Sequence, residues 1–509
     1  MSSFEEHNED LIETRIQVHD THQFEVKLDY SIDPSHRRNR YHIKGYFFVP
    51  QSLGISKHTY SRGQFYRDVQ SYIRFKTPRI SFHEILNEKN EKSPLWRIER
   101  GIEAREKGNA DKTSDRTLTR ELRIFVCLVR ANLRDELRRL IGSDLESSEN
   151  VMARQELLEV FDGLNGVIEA FRAMKPQLTA QNGPGSLAEA YHYTDEYLSL
   201  VAESHLTQFL AKLQRDQSED SIVGQCVAEA TTILRRERTH RDNCEYPRIL
   251  EDGVPNEHYV YRRGLLKKFA MSVLFLKLDK DTGNNKISDF IAAIAAGIAM
   301  LFAALAAIYA QQQYGLNTGP FVGALVVSYI LKDRIKEWVK RYSAPAISNL
   351  LWDHRVQITD PLHDVEVGRC RELFSFIPSR SIPKSILELR HEGQIKSIEA
   401  QSKPEVCLKY EKEIILHGTT IDQSHGRMLD INDIIRFNLA QFLARTDDPV
   451  SYLPLFNVKT HKIDQVACPK VYHINVILVL EAETGSLPAQ MERIRVIFDR
   501  TGIRRVETI

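Results

Sequence analysis

The stretch FIAAIAAGIAMLFAALAAIYA, residues 290 to 310, constrains this chain more than any other part of it. It holds 21 residues without a charge, and only Tyr309 brings a polar group. Wound as a helix at about 1.5 Å per residue, it would reach roughly 31 Å, the hydrocarbon thickness of a bilayer. Alanine fills ten of the positions, so the run is less apolar than a leucine-rich span. A buried core helix in a large soluble protein is the competing reading.

The residues that follow tilt the balance towards a membrane. QQQYGLNTGP (311–320) is uncharged and contains the turn formers Gly315, Asn317, Gly319 and Pro320. FVGALVVSYIL (321–331) is apolar again, and the chain then turns abruptly into KDRIKEWVKR. The second core is short for a span, but counting from Tyr314 gives an uncharged stretch barely long enough. A transmembrane helical hairpin is therefore expected over 287–342, with spans near 290–310 and 315–331.

Charge sets the expected orientation. Lys332, Arg334, Lys336, Lys340 and Arg341 follow the second segment, and the connecting loop carries no charge. Positive flanks stay on the cytoplasmic side. The expectation is an integral protein of a prokaryotic inner membrane with both termini cytoplasmic and the lipid bilayer as its first partner. Tyr309, Tyr314, Tyr329 and Trp338 fall near the segment ends, where amphipathic rings anchor at an interface. Ala295, Ala299, Ala303 and Ala307 recur every fourth residue and make a smooth ridge, and Gly319 and Gly323 offer a groove. These six positions are the expected helix-packing residues, within the chain or in a homo-oligomer or other protein partner.

A chain of 509 residues exceeds one ordinary core. Four regions are expected: a small α/β region over 1–115, a helical bundle over 116–286, the hairpin, and a cytoplasmic α+β domain over 343–509. The fold class is thus an α+β multidomain membrane protein, its last domain built on a mostly antiparallel sheet. FEVKLDYSI and YHIKGYFFVP read as strands, YSRGQFYRDVQSYIRF as a short helix, and KNEKSPLWRIERGIEAREKGNADKTSD as a highly charged stretch that loops out in part. Leu118, Leu122, Phe125, Val129 and Leu133 begin a bundle stripe that recurs in three later segments. YRRGLLKKFAMSVLFLKL (261–278) is amphipathic, suited to a bundle or to the plane of a membrane interface. In the last region SILELRHE and IKSIEAQSK suggest a strand hairpin. MLDINDIIRFNLAQFLAR suggests a helix with Ile434, Ile435, Leu439 and Phe442 buried. VCLKYEKEIIL, VYHINVILVLEAE and MERIRVIFDRTGIRRVETI suggest long strands.

Chemistry is harder to find. Lys plus Arg and Asp plus Glu balance at 69 each, so no global field favours nucleic acid. The arginine knots Arg134, Arg138, Arg139 and Arg235, Arg236, Arg238, Arg241 read as solvated helix faces, with lipid headgroups as the alternative. The six cysteines are scattered and none falls in a C-x-x-C pair. The acidic opening MSSFEEHNEDLIETR lacks the apolar core of a signal peptide. DKDTGNNKISDF resembles a calcium loop only at its first acids, and lacks the central glycine and closing glutamate. No phosphate-binding, dinucleotide, zinc-protease or nucleophile-elbow motif occurs. No catalytic residue and no cofactor are assigned.

His417, His425, His461 and His473, with Glu411, Glu413 and Asp464, are the residues from which a metal or catalytic site would have to be assembled. Placement and absence of motif together point to a membrane-anchored scaffold, assembly or sensor protein. The alternatives are a membrane-associated, metal-dependent hydrolase using the C-terminal histidines and acids, and a soluble interaction protein that buries the helical hairpin.

Overall fold

The structure is a computed structural model. It describes residues 12–107, 112–142, 151–180, 186–213, 221–246, 250, 252–281, 284–314, 318–348, 352–392, 405–426, 430–459, 461–483 and 489–509. Contacts divide the chain into two units, Met1–Arg74 with Leu276–Ile509, and Phe75–Phe275.

The described residues open with β1 (Ile12–Val18), β2 (Gln23–Tyr30), β3 (Asn39–Pro50), α1 (Arg62–Asp68) and β4 (Val69–Phe75). It then enters α2 (Phe82–Leu86), α3 (Pro94–Glu106), α4 (Lys112–Gly142), α5 (Val151–Ala173), α6 (Lys175–Leu178), α7 (Leu187–Leu213), α8 (Ser221–Asn243) and α9 (Glu257–Met271). After β5 (Lys277–Asp281) come α10 (Asn284–Tyr314), α11 (Gly319–Ser348), β6 (His354–Asp360), β7 (Val365–Ile377), α12 (Lys384–His391) and β8 (Glu405–Leu416). The last elements are α13 (Gly418–His425), β9 (Ile431–Asn438), α14 (Ala440–Leu443), β10 (Val450–Asn457), β11 (Lys462–Pro469), β12 (Tyr472–Ala482), β13 (Gln490–Asp499) and β14 (Gly502–Thr508).

The first unit is built on an eight-stranded sheet ordered β14-β13-β12-β3-β8-β7-β6-β5 and a four-stranded sheet ordered β1-β2-β9-β4. Every neighbouring pair of the larger sheet runs antiparallel. β3 sits at its centre and is buried on both faces along Tyr46–Val49, where its sequence is continuously apolar, while Tyr41 and Ile43 alternate with the half-buried His42 and Lys44. Phe47 meets Phe437 of the smaller sheet at 5.1 Å between ring centroids. Tyr46 and Phe48, on the opposite face of the strand, pack with Ile382, Ile386, Cys407 and Ile477 beneath α12. Tyr30 stacks on Tyr41 at 4.9 Å, and Phe65 of α1 stacks on Phe374 at 4.1 Å.

The N-terminal strands therefore belong with the C-terminal ones, so the boundaries at 115 and 343 do not divide the compact units. Pairing across the chain also decided several local conformations. MLDINDIIRFNLAQFLAR yields β9 and the short α14, because Ile431–Asn438 forms a full ladder with β2. Residues 428–429 of that stretch lie outside the described residues. The stretch expected as one helix over 60–75 is α1 followed by β4, with Ser61 closing a capping box on Gln64. SILELRHE is α12, and its expected partner IKSIEAQSK lies outside the described residues. Within the charged stretch expected to loop out in part, Pro94–Glu106 is α3, started by Ser93 and Pro94.

The second unit is helical. Leu122, Phe125, Val129 and Leu133 of α4 are fully buried. Phe171 stacks on both Phe125 and Tyr191, at 4.8 and 4.9 Å. Gly163 and Gly166 let α5 approach α2, since a Cβ at Gly163 would stand 2.8 Å from that of Phe82. YRRGLLKKFA lies in α9, with Leu266 and Ala270 buried.

The transmembrane hairpin requires correction, and the membrane-protein fold class falls with it. Among the described residues one helix, Ala292–Tyr314, is long and apolar enough to cross a membrane. The second segment fails because its apolar core is too short and the same helix runs on into Lys332, Asp333, Arg334, Lys336 and Glu337. Two spans were what would have returned both arms to one side, so the topology with both termini cytoplasmic does not follow. The connecting residues 315–317 lie outside the described residues. The fold is a mixed one: a unit of helices and antiparallel sheets, in which β10 and β11 form a separate two-stranded sheet in addition to the two larger ones, and a helical unit.

Candidate metal centre

The residues singled out by sequence on α10 and α11 divide by face. Ala295 and Ala299 are buried, Ala303 and Ala307 are half-buried, and α10 packs against α11. Gly319 and Gly323 are exposed, and nothing lies within 4 Å of where their Cβ atoms would stand. Tyr309, Tyr314, Tyr329 and Trp338 are all exposed, and the Lys332 ammonium lies 3.9 Å from the Tyr329 ring centroid. Ile294, Ile298, Met300, Leu301, Phe302, Leu305 and Ile308 are exposed as well. Only 11% of the most apolar stretch of α10 is buried, so its own chain does not wall it in.

Of the C-terminal histidines and acids, only His425 joins a cluster with ion-binding geometry among the described residues. His417 Nδ1 lies 3.4 Å from the Glu366 carbonyl oxygen, and His461 occupies the β10–β11 turn with a φ of 51°. Glu411 pairs with Lys409, Glu413 lies near Arg40, His42 and Arg371, and Asp464 accepts from Asn457. His473 begins β12.

His425 instead meets Asp360 and His363, two residues that sequence reading passed over. Their only signal is the string DPLHD, with aspartate and histidine three apart across a proline, which means little until the turn is known. Asp360 ends β6, and a register shift between Ile358 and Thr359 re-aims the strand just before it. The chain reverses through 361–364 with Asp364 in the left-handed region at φ 52°, which brings His363 back over Asp360. His425 is the last residue of α13, closed by Gly426 at φ 47°. The His425 Nε2 group donates to Asp360 Oδ2 at 3.0 Å, and His363 Nδ1 donates to the same oxygen. The Leu362 amide donates to Asp360 Oδ1 at 3.0 Å. The two rings meet edge to face at 5.2 Å.

Burial alone would push the Asp360 carboxyl up. The hydrogen bonds from His425, the Leu362 amide and His363 outweigh it and hold the group well below the usual carboxylate range. The His425 side chain is fully buried, while His363 is 35% exposed. The cluster is thus an ionised carboxylate with two imidazoles, closed at the back and open to solvent at one ring.

A second cluster, Asp195, His240 and Cys244, lies in the helical unit. Asp195 Oδ2 accepts from His240 at 2.8 Å and Tyr246 at 3.0 Å, and Oδ1 accepts from Arg172 at 2.9 Å. Arg172 also makes a two-pronged pair with the buried Glu237. Burial and Asp195 push the Cys244 thiol up, and a guanidinium already neutralises the carboxylate. That arrangement joins α5, α7 and α8 as a satisfied polar network and leaves little attraction for a cation. Four arginines of the two knots are engaged as well. Arg134 pairs with Asp135, Arg139 with Glu136 and Glu156, Arg236 with Glu169, and Arg241 with Glu203.

No protein-family model, no curated protein and no solved structure matches this chain.

Proposed function

We propose that this chain is a scaffold, assembly or sensor protein held against a lipid bilayer by the Ala292–Tyr314 helix, which concentrates its two folded units beside the membrane. The single observation that carries the reading is the exposure of that helix. Ile294, Ile298, Met300, Leu301, Phe302, Leu305 and Ile308 all face away from the chain's own core. Full burial of such a side chain contributes about 1.5–3 kcal/mol, so seven half-exposed ones leave on the order of 5–10 kcal/mol unrealised in water. Soluble surfaces do not carry an apolar patch of this extent without a purpose.

Lipid is the occupant argued for because the length matches a hydrocarbon core and exposed rings, Tyr309 and Tyr314, sit towards one end of the helix. The cationic run from Lys332 to Arg341 lies in the same region of sequence and suits an anionic headgroup layer. Flotation with phosphatidylcholine–phosphatidylglycerol vesicles tests the reading. The chain is expected to float with the vesicles, and the Ile298→Asp/Leu301→Asp double variant to stay at the bottom while keeping its circular dichroism. Equal flotation of both, or none of either, would refute it.

A further inference from the structure

We infer that Asp360, His363 and His425 form a binding site for a divalent first-row transition ion of the Zn²⁺ type. The inference is independent of membrane attachment. One carboxylate and two imidazoles are the donor set that suits such ions, and three protein ligands with an open fourth position are the usual form of an accessible site. The ligand atoms lie within 4.8 Å of one another. Around a tetrahedral ion with bonds of about 2.0–2.1 Å, neighbouring donor atoms stand roughly 3.3 Å apart. The 3.0 Å separation of His425 Nε2 and Asp360 Oδ2 needs only a small expansion to reach that value.

The surroundings are arranged to hold those donors. Asp360 Oδ1 is fixed by the Leu362 amide, which leaves Oδ2 as the ligand atom and sets the carboxylate plane. His425 is clamped at the end of α13, and His363 is brought in by a turn that passes through a left-handed non-glycine residue. Such a backbone is maintained where the fold over-determines it. Asp360 and His363 come from one β-turn and His425 from a helix some sixty positions later, so a bound ion would tie the β6–β7 edge to α13. The partial exposure of His363 leaves room for water in the fourth position. The histidines bind as neutral imidazoles, so loading releases any proton that they carry.

The test uses the full chain, stripped with chelator and titrated with Co²⁺ and then Zn²⁺. One equivalent of Co²⁺ is expected, giving visible d–d bands without a thiolate charge-transfer band, and Zn²⁺ is expected to displace it. His363→Ala removes a half-exposed ligand and should weaken binding roughly 100-fold. His363→Gln checks that the loss is not one of packing. Cys244→Ser should change nothing. Absence of saturable binding, binding undisturbed by both His363 variants, or a thiolate band that disappears with Cys244→Ser would each overturn the assignment.

Discussion

Removal of the Lys412 ammonium should destabilise the sheet-containing unit more than any surface change. Lys412 on β8 and Asp433 on β9 meet at 2.6 Å with both side chains completely buried. Asp433 also accepts from Tyr30 at 3.0 Å and from Ser71 at 3.0 Å, and Lys412 donates to Ser71 at 2.8 Å. Burial would push the Lys412 ammonium down, but Asp433 with Cys370 and Glu372 nearby holds it well above its ordinary range. Lys412→Met keeps the volume and leaves a buried carboxylate with only two neutral donors. Breaking such a pair from one side costs about 3–5 kcal/mol, because an uncompensated charge remains in a low-dielectric interior. For a unit of this size that corresponds to a fall of about 6–10 °C in Tm. Thermal melting followed by circular dichroism in the β-sheet region reads it directly. The Lys412→Met/Asp433→Leu double variant removes both charges and should recover more than half of the loss, with Tyr30 and Ser71 bearing the remainder. A loss below about 1 kcal/mol in the single variant would refute the reasoning, since only a hydrated pair is worth so little.

Other consequences can be checked separately. Burial, with Arg130, Arg134, Arg138 and Arg263 around it, lowers His205 from 6.5 to about 4. Below pH 6.5 the unfolded chain takes up a proton that the folded helical unit refuses, so stability falls as the pH drops towards 4, by about 2 kcal/mol after solvent screening. His205→Gln should flatten that part of a denaturation profile. At Gly368 a Cβ would stand 2.5 Å from the Ile415 carbonyl oxygen, so Gly368→Ala should cost about 1–3 kcal/mol by pushing β7 off β8 in chemical denaturation. If the Asp360 site binds its ion, excess Zn²⁺ should raise the melting temperature of the parent chain and leave that of His363→Ala unchanged.

What the sequence made legible follows from the range of the forces involved. Strands such as Glu405–Leu416 and Tyr472–Ala482 carry their own alternation or apolar run, and the leucine stripes of α4 and α5 carry a helical period, so local pattern sufficed. β9 was misread because INDIIRFN fits a helical stripe as well as a strand. Only the ladder to β2, some four hundred positions away, and the buried partner of Asp433 decide between them. The second segment reaches span length only when uncharged residues are counted from Tyr314, and the charge that enters the same helix at Lys332 outweighs that count. His425 stands out as one of the C-terminal histidines, while nothing local marks its partners. Asp360 and His363 gain their meaning from a bulged strand, a left-handed turn residue and a helix end that meet only in three dimensions.

Whether hydrocarbon surrounds α10 is best decided at Leu301, 63% exposed near the middle of the apolar run. With Leu301→Trp introduced into the full chain and mixed with vesicles whose lipids carry bromine midway along the acyl chain, the added tryptophan emission should be strongly quenched and should resist acrylamide. Emission that acrylamide quenches freely and bromine leaves untouched would place the helix in water or against protein, and would contradict the attachment proposed for this chain.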